Sequence, residues 1–309
     1  MSLFLVVLTY FAYVFIIAMY VVKAIKIARL PLHLRWELYP VIYEPKSKYG
    51  SGFQEDEKGW RKSQGKKLRK GILYLLKENL RFNDYFKSNR GYWLVLFPWH
   101  IGFILIVAFH ILCFFGALVI IAGNPVTANS VYVIGKIFYY CILITGVFSF
   151  IAGAFGSIGL ILKRQSDKNL KAFATPQNYF NYIFTLIVFL SGLYAWIFAD
   201  PTFAQYRDFW RGLLTLSPVS VEPATAVHII LFSLFLVYLP FTRSMHYITK
   251  FFAFFWVRWD DRPNFRGSKV ERNITGLLNK PVTWSAPHIK SGRTWAEITA
   301  EEKYHEKTS

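Results

Sequence analysis

The sequence predicts an all-α integral membrane protein of five transmembrane helices, with a basic loop and a basic C-terminal tail on one side. Three observations predict it. The 309 residues are 54% apolar and 19% aromatic, yet carry a formal charge of +18. Five apolar runs reach the roughly 20 residues that cross a hydrocarbon layer. The basic residues collect between alternate runs, so apolarity and charge belong to different layers of one protein.

In chain order, the runs cover about 2–22, 93–122, 131–162, 179–198 and 225–250. The first has no charge before Lys23. A cleavable signal would open with Lys or Arg and be shorter, so a retained span with its N-terminus outside is expected. A long basic segment (23–92) follows. Within it, KKLRKGILYLLKENLRF (66–82) sets Leu68, Ile72, Leu75, Leu76 and Leu80 on one helical face, as for a helix on anionic lipid or a cytosolic partner. A short turn (123–130), a basic turn (163–178) and an aromatic loop (199–224) join the later spans. Residues 1–255 form the membrane domain. The polar tail 256–309, with Pro263, Pro281 and Pro287, suits a strap docked on a partner.

Charge placement orients the bundle. Of 36 Lys and Arg, 17 lie in 23–92, four in 163–178 and 12 from Arg243 onward, all on one side. That side is cytoplasmic, with the C-terminus inside. The five spans make the basic excess topological, which sets nucleic-acid binding aside. Cys113 and Cys141 lie in apolar runs without a CxxC pair, so the chain itself holds no iron–sulfur cluster or structural zinc.

Ionisable residues inside a bilayer are costly and mark function. Four of the seven histidines fall in two runs: His100 and His110 in one, His228 and His246 in the other. Neutral imidazole ligates iron, and a six-coordinate haem takes one imidazole from each side. Ten residues rise about 15 Å and eighteen about 27 Å in a helix. On antiparallel helices this pairs His100 with His246 near the inner face and His110 with His228 near the outer face. Eighteen residues are whole turns of a continuous helix, which puts His228 and His246 on one face, with Pro240 between them as a source of a kink. Two b haems are therefore expected. Packing histidines, or a haem-free anchor or proton-relay transporter, are the competing readings.

These spacings, on the second and fifth of five spans, resemble the gamma (cytochrome b) subunits of respiratory nitrate reductases. Two motifs, His33-Leu34-Arg35-Trp36-Glu37-Leu38-Tyr39-Pro40-Val41 and Ser291-Gly292-Arg293-Thr294-Trp295-Ala296-Glu297-Ile298, resemble the DsrM branch, from the membrane complex linked to dissimilatory sulfite reduction. The long 23–92 segment departs from the nitrate reductase subunits and agrees with that branch. The resemblance implies menaquinol oxidation near the outer haem and electron delivery to a cytosolic iron–sulfur subunit similar to a heterodisulfide reductase. It also implies further membrane and periplasmic subunits. A heterodisulfide reductase cytochrome or a nitrate reductase subunit is the alternative within the class.

The remaining positions are supporting. Lys136 is the one basic residue in the outer half of a span. By resemblance it lines the quinol pocket, against an ordinary role snorkelling to the surface. Arg243, three residues before His246, is placed to meet a propionate of the inner haem or to serve as an inner-face charge. Gly153, Gly156 and Gly159 leave a helix face bare, for close helix packing or for haem clearance. Trp93, Trp196, Tyr206 and Trp210 suit interfacial aromatic belts. His33, His288 and His305 fall outside the membrane.

Overall fold

The computed structural model describes residues 2–29, 76, 82–217, 219–256, 266–287 and 289–305. The 33–41 motif, and the 66–82 segment apart from Leu76 and Phe82, lie outside the described residues. These residues are helical except for short loops and two isolated β-bridges. They are α1 (Ser2–Ala28), α2 (Asn83–Ser88), α3 (Arg90–Ile121), α4 (Val133–Ser166), α5 (Lys168–Ala172), α6 (Pro176–Phe198), α7 (Ala204–Leu214), α8 (Pro223–Tyr238), α9 (His246–Trp256), α10 (Lys269–Leu278) and α11 (Trp295–His305). Two compact units result: 1–19 with 75–242, and 20–74 with 243–309.

Five helices are long and apolar enough to cross a membrane: Leu3–Ala28, α3, α4, α6 and Pro223–Phe241. The packing within the first unit is inside-out for a water-soluble protein. On α4 the stripe Ile137, Ile144, Phe148, Ile151, Phe155 and Leu162 is exposed, while the opposite face buries Gly146, Ser149, Gly153, Gly156 and Ser157. An apolar surface of that extent needs lipid around it, and small residues inside let backbones approach. Buried hydroxyls bond to carbonyls of their own helix: Ser149 to Gly146, Ser157 to Gly153. These two hydroxyls are thereby satisfied within their own helix.

α4 crosses α3 at its glycines. A Cβ on Gly102 of α3 would fall 2.5 Å from Gly153 Cα, and one on Gly156 would fall 2.3 Å from the backbone nitrogen of Trp99; on α6, the Phe189 ring closes on Gly153 in the same way. The glycine face is thus a packing face, and it holds the α3 backbone next to His100. Asn89 caps α3 by accepting the N–H of Tyr92 at 3.0 Å.

The fifth span differs from expectation. A continuous helix over 225–250 is not formed: α8 stops at Tyr238, and two 3-10 turns (Leu239–Phe241 and Arg243–Met245) precede α9. Pro240 removes an amide donor and its ring crowds the preceding turn, so the predicted kink is a full break. Whole-turn counting between His228 and His246 therefore fails, and His246 opens a separate helix beyond the apolar span.

In the second unit, Tyr20 meets Tyr247 edge-on with ring centroids 5.8 Å apart. The described part of the tail has a small core of its own. Val282, Ile289 and Ile298 form a small core with Ala286 and Trp295 against it. The Val282 N–H donates to Arg293 O at 2.7 Å, and the Gly292 N–H to Val282 O at 2.8 Å. Within the SGRTWAEI stretch, Thr294 and Glu297 form a reciprocal capping box for α11: the Thr294 N–H donates to Glu297 Oε2 at 2.8 Å, and the Glu297 N–H to Thr294 Oγ1 at 3.3 Å.

Candidate functional site

His110 sits two turns into the buried stretch of α3, and His228 five residues after the proline that starts α8. Both are buried, at 3% and 2% exposure. Their ring centroids are 6.1 Å apart. The hydrogen atoms follow from the partners. His110 Nδ1 lies 2.7 Å from the Ile106 carbonyl, which only accepts, so Nδ1 carries the proton. His228 Nδ1 lies 3.0 Å from Ser191 Oγ, whose own hydroxyl donates to Val188 O at 2.8 Å, so that oxygen accepts from Nδ1. In both rings Nε2 is then an unprotonated lone pair. Neither Nε2 has a hydrogen-bond partner among the described residues.

A buried acceptor left bare is costly unless something binds it. Two such nitrogens on neighbouring rings, tilted by 42°, could both ligate one metal, and Nδ1 anchored on a carbonyl or hydroxyl is the usual support of a ligating histidine. No group of three or more His, Cys, Asp or Glu could hold a metal ion among the described residues. Two protein ligands alone suit a metal whose remaining positions come from a macrocycle. The residues therefore fit a haem.

Aromatic rings wall the pair. Phe232 stacks on His110 at 3.5 Å, Tyr206 meets it edge-on at 5.3 Å, and Phe150 meets His228 edge-on at 5.2 Å. A small void of about 10 Å³, room for about one water, reaches His228 between Phe109, Phe150, Asp200, Tyr206 and Thr225.

The lid over this end is α7, and here the aromatic-belt reading is corrected. Tyr206, Arg207, Phe209 and Trp210 are buried, because the loop folds back into the bundle. Asp200 starts the helix by accepting the Tyr206 N–H at 3.0 Å, a carboxylate at the positive end of a helix. Burial raises the Asp200 carboxyl above its ordinary value, and the backbone N–H groups and Arg207 pull it back. Arg207 ties two loops together, donating to Thr202 O at 2.7 Å and to Val126 O at 3.0 Å. On the far side, Trp210 meets Tyr13 of α1 edge-on at 5.0 Å, and the Tyr10 hydroxyl donates to Leu213 O.

The other predicted residues are placed as follows. His100 is half-buried, edge-on to Phe82 at 4.5 Å. His246 belongs to the second unit, with Nδ1 3.1 Å from Arg243 O, so Arg243 meets that ring through its backbone. Lys136 is exposed at the start of α4. Cys113 is buried, but Cys141 is exposed. Sequence reasoning missed Ser191, Asp200 and Arg207. An open groove of about 570 Å³, lined by Ser191, Tyr194, Phe198, Glu222, Pro223 and Val227, lies on the other side of Ser191 between α6 and α8.

These features define a multi-pass helical membrane protein whose interior holds a neighbouring pair of histidines. Residues 86–260 match the nitrate reductase gamma subunit family, over half of the 309 residues, and the chain belongs to that family of cytochrome b-type membrane subunits of redox complexes. No curated protein and no solved structure matches the chain.

Proposed function

We propose that the chain is a dihaem cytochrome b subunit that oxidises menaquinol near the outer membrane face and delivers electrons to a cytosolic iron–sulfur subunit. The observation that carries it is the His110–His228 pair, with both Nδ1 positions anchored and both Nε2 lone pairs bare. Haem b, when bound, supplies a one-electron centre in the low-dielectric interior. His110 and His228 hold the outer group, and His100 and His246 the inner one. Ser191 and the Ile106 carbonyl fix the tautomers, and α7 excludes water from above. The charge asymmetry supports an outside N-terminus and an inside C-terminus.

Quinol approaches at the end of the bundle that carries α7. Lys136 and the groove beside Ser191, with Glu222 at its mouth, are the two places where a quinol hydroxyl meets a polar group. Arg243 serves the inner haem. The 256–309 tail docks the cytosolic subunit, and its motif with the 33–41 motif supports a DsrM-type complex of sulfur respiration.

A reduced-minus-oxidised spectrum of the purified chain tests the reading. Two b-type components are expected; none would end it. His228→Ala should remove one component and His100→Ala the other, and loss of the same component in both would sink the pairing. In Lys136→Ala, quinol oxidation and inhibitor affinity should fall, and unchanged values remove Lys136 from the pocket.

A further inference from the structure

α1, the 113–116 stretch of α3 and α7 meet about one helical turn beyond the His110–His228 pair, and their junction holds polar atoms that the fold leaves unsatisfied. Thr9 Oγ1, Tyr13 Oη, Arg207 Nε and Trp210 Nε1 are buried atoms without a hydrogen-bond partner among the described residues. Thr9, Arg207 and Trp210 are 4%, 3% and 9% exposed.

Two of the four are in contact and the other two neighbour them along the same helices, the Arg207 guanidinium lying 5.9 Å from the Tyr139 ring centroid. Thr9 and Tyr13 are one turn apart on α1, and Arg207 and Trp210 are one turn apart on α7. The Tyr13 and Trp210 rings touch. Trp210 also meets Phe114 at 5.6 Å, and a Cβ on Gly116 would lie 3.5 Å from Arg207 Cδ. Tyr206, one turn before Trp210, touches His110.

Indole and guanidinium N–H groups only donate, and the two hydroxyls are each free to donate. Arg207 already donates through its two terminal nitrogens to Thr202 O and Val126 O and lies near the Asp200 carboxylate, so Nε is its one unmet atom; four such buried atoms cost stability wherever they remain unmet. The cost is removed by an acceptor-rich group, and the Arg207 charge makes an anion the fitting one. We infer that this junction is a carboxylate site, and that it takes a propionate of the haem held by His110 and His228. The inference rests on the haem reading of that pair. It makes Thr9, Tyr13, Arg207 and Trp210 positioning residues for the prosthetic group, a role neither sequence spacing nor aromatic-belt placement assigns them.

Two substitutions separate this role from a merely structural one. Tyr13→Phe and Thr9→Val delete donors that have no partner among the described residues, so the haem-free full chain should unfold no more easily than the wild type. The test refills haem-stripped full-length chain with haem b or with its dimethyl ester, whose carboxylates are blocked, and reads affinity and midpoint potential. The wild type should hold haem about tenfold more tightly than the diester, as expected for hydrogen bonds to a charged group. The difference should shrink in Tyr13→Phe and Thr9→Val. Arg207→Gln should also lower the potential of the component that His228→Ala removes, because a nearby cation favours the reduced iron.

Equal affinity of the wild type for haem and diester would overturn the site while leaving the haem reading intact. So would variants that loosen both ligands alike, or diester binding restored fully by added acetate, which would mark a general anion site. A wild-type chain that binds neither with a b-type spectrum overturns this inference and the reading beneath it together.

Discussion

Ser191 shows how much one hydroxyl can decide. Its proton is committed to Val188 O, so its lone pair must accept from His228, and the ring is fixed in the tautomer that exposes Nε2. Ser191→Ala removes that anchor, and supports of this kind change metal affinity by about 10–100-fold. Faster loss of one haem component, measured by transfer to an apo-globin acceptor, is the expected result. Asp200 is the counterpart on the loop. Its folded value lies above its unfolded one, so its contribution to stability is complete below the usual carboxylate range and is lost as pH rises through the folded value. Asp200→Asn keeps an acceptor without the charge and should flatten that dependence. Asp200→Ala leaves the first turn of α7 uncapped and should cost about 1–2 kcal/mol in denaturant unfolding. The His110 and His228 pair is legible as a candidate in sequence because imidazole in an apolar run is rare, whereas His246 falls beyond the apolar span. Ser191 and Asp200 are not, because a serine within a helix and an aspartate after one look the same whether or not they touch a functional side chain.

At the level of elements, run length reports four spans well, since nothing interrupts them. The fifth is misjudged because hydropathy is blind to the amide that Pro240 lacks, and the run reads as continuous across two 3-10 turns. α7 is misjudged for a different reason. Eleven residues with Tyr and Trp on one side have the composition of an interfacial helix, and only tertiary contacts reveal that this side faces the bundle. The α3–α4 crossing is legible as a glycine pattern, but its partner is not. Gly156→Leu drives a side chain into the Trp99 backbone, which cannot yield, so a loss of at least about 3 kcal/mol is expected, at the upper end for overpacking. Gly159→Ala meets the Val95 side chain most closely, at 2.4 Å, with the Val95 backbone at an ordinary 3.8 Å, and should be milder. Thermal aggregation of the two detergent-solubilised variants ranks them.

Across the whole molecule, large apolar side chains lie on the outside of the bundle as well as in its core, a distribution that the overall apolar fraction alone does not reveal. Orientation rests on where 33 of 36 basic residues fall. Cysteine labelling at Ser309 and at Thr127 checks it: an impermeant reagent should reach Thr127→Cys from outside intact cells and Ser309→Cys only after lysis. Removal of 266–309 should leave the optical spectrum unchanged and abolish electron delivery to the cytosolic subunit, because the tail carries its own small core.

The interruption between Tyr238 and His246 also bears on how this chain tolerates change in length. Inserting one residue between His100 and His110 would turn one histidine about 100° away from the other and lift it about 1.5 Å, since an unbroken helix transmits every added residue. The same insertion within 239–245 falls in short turns that can absorb it as a changed loop. The ten-residue interval is therefore fixed by helical geometry, whereas a change of length within 239–245 of this chain would leave His228 where it is.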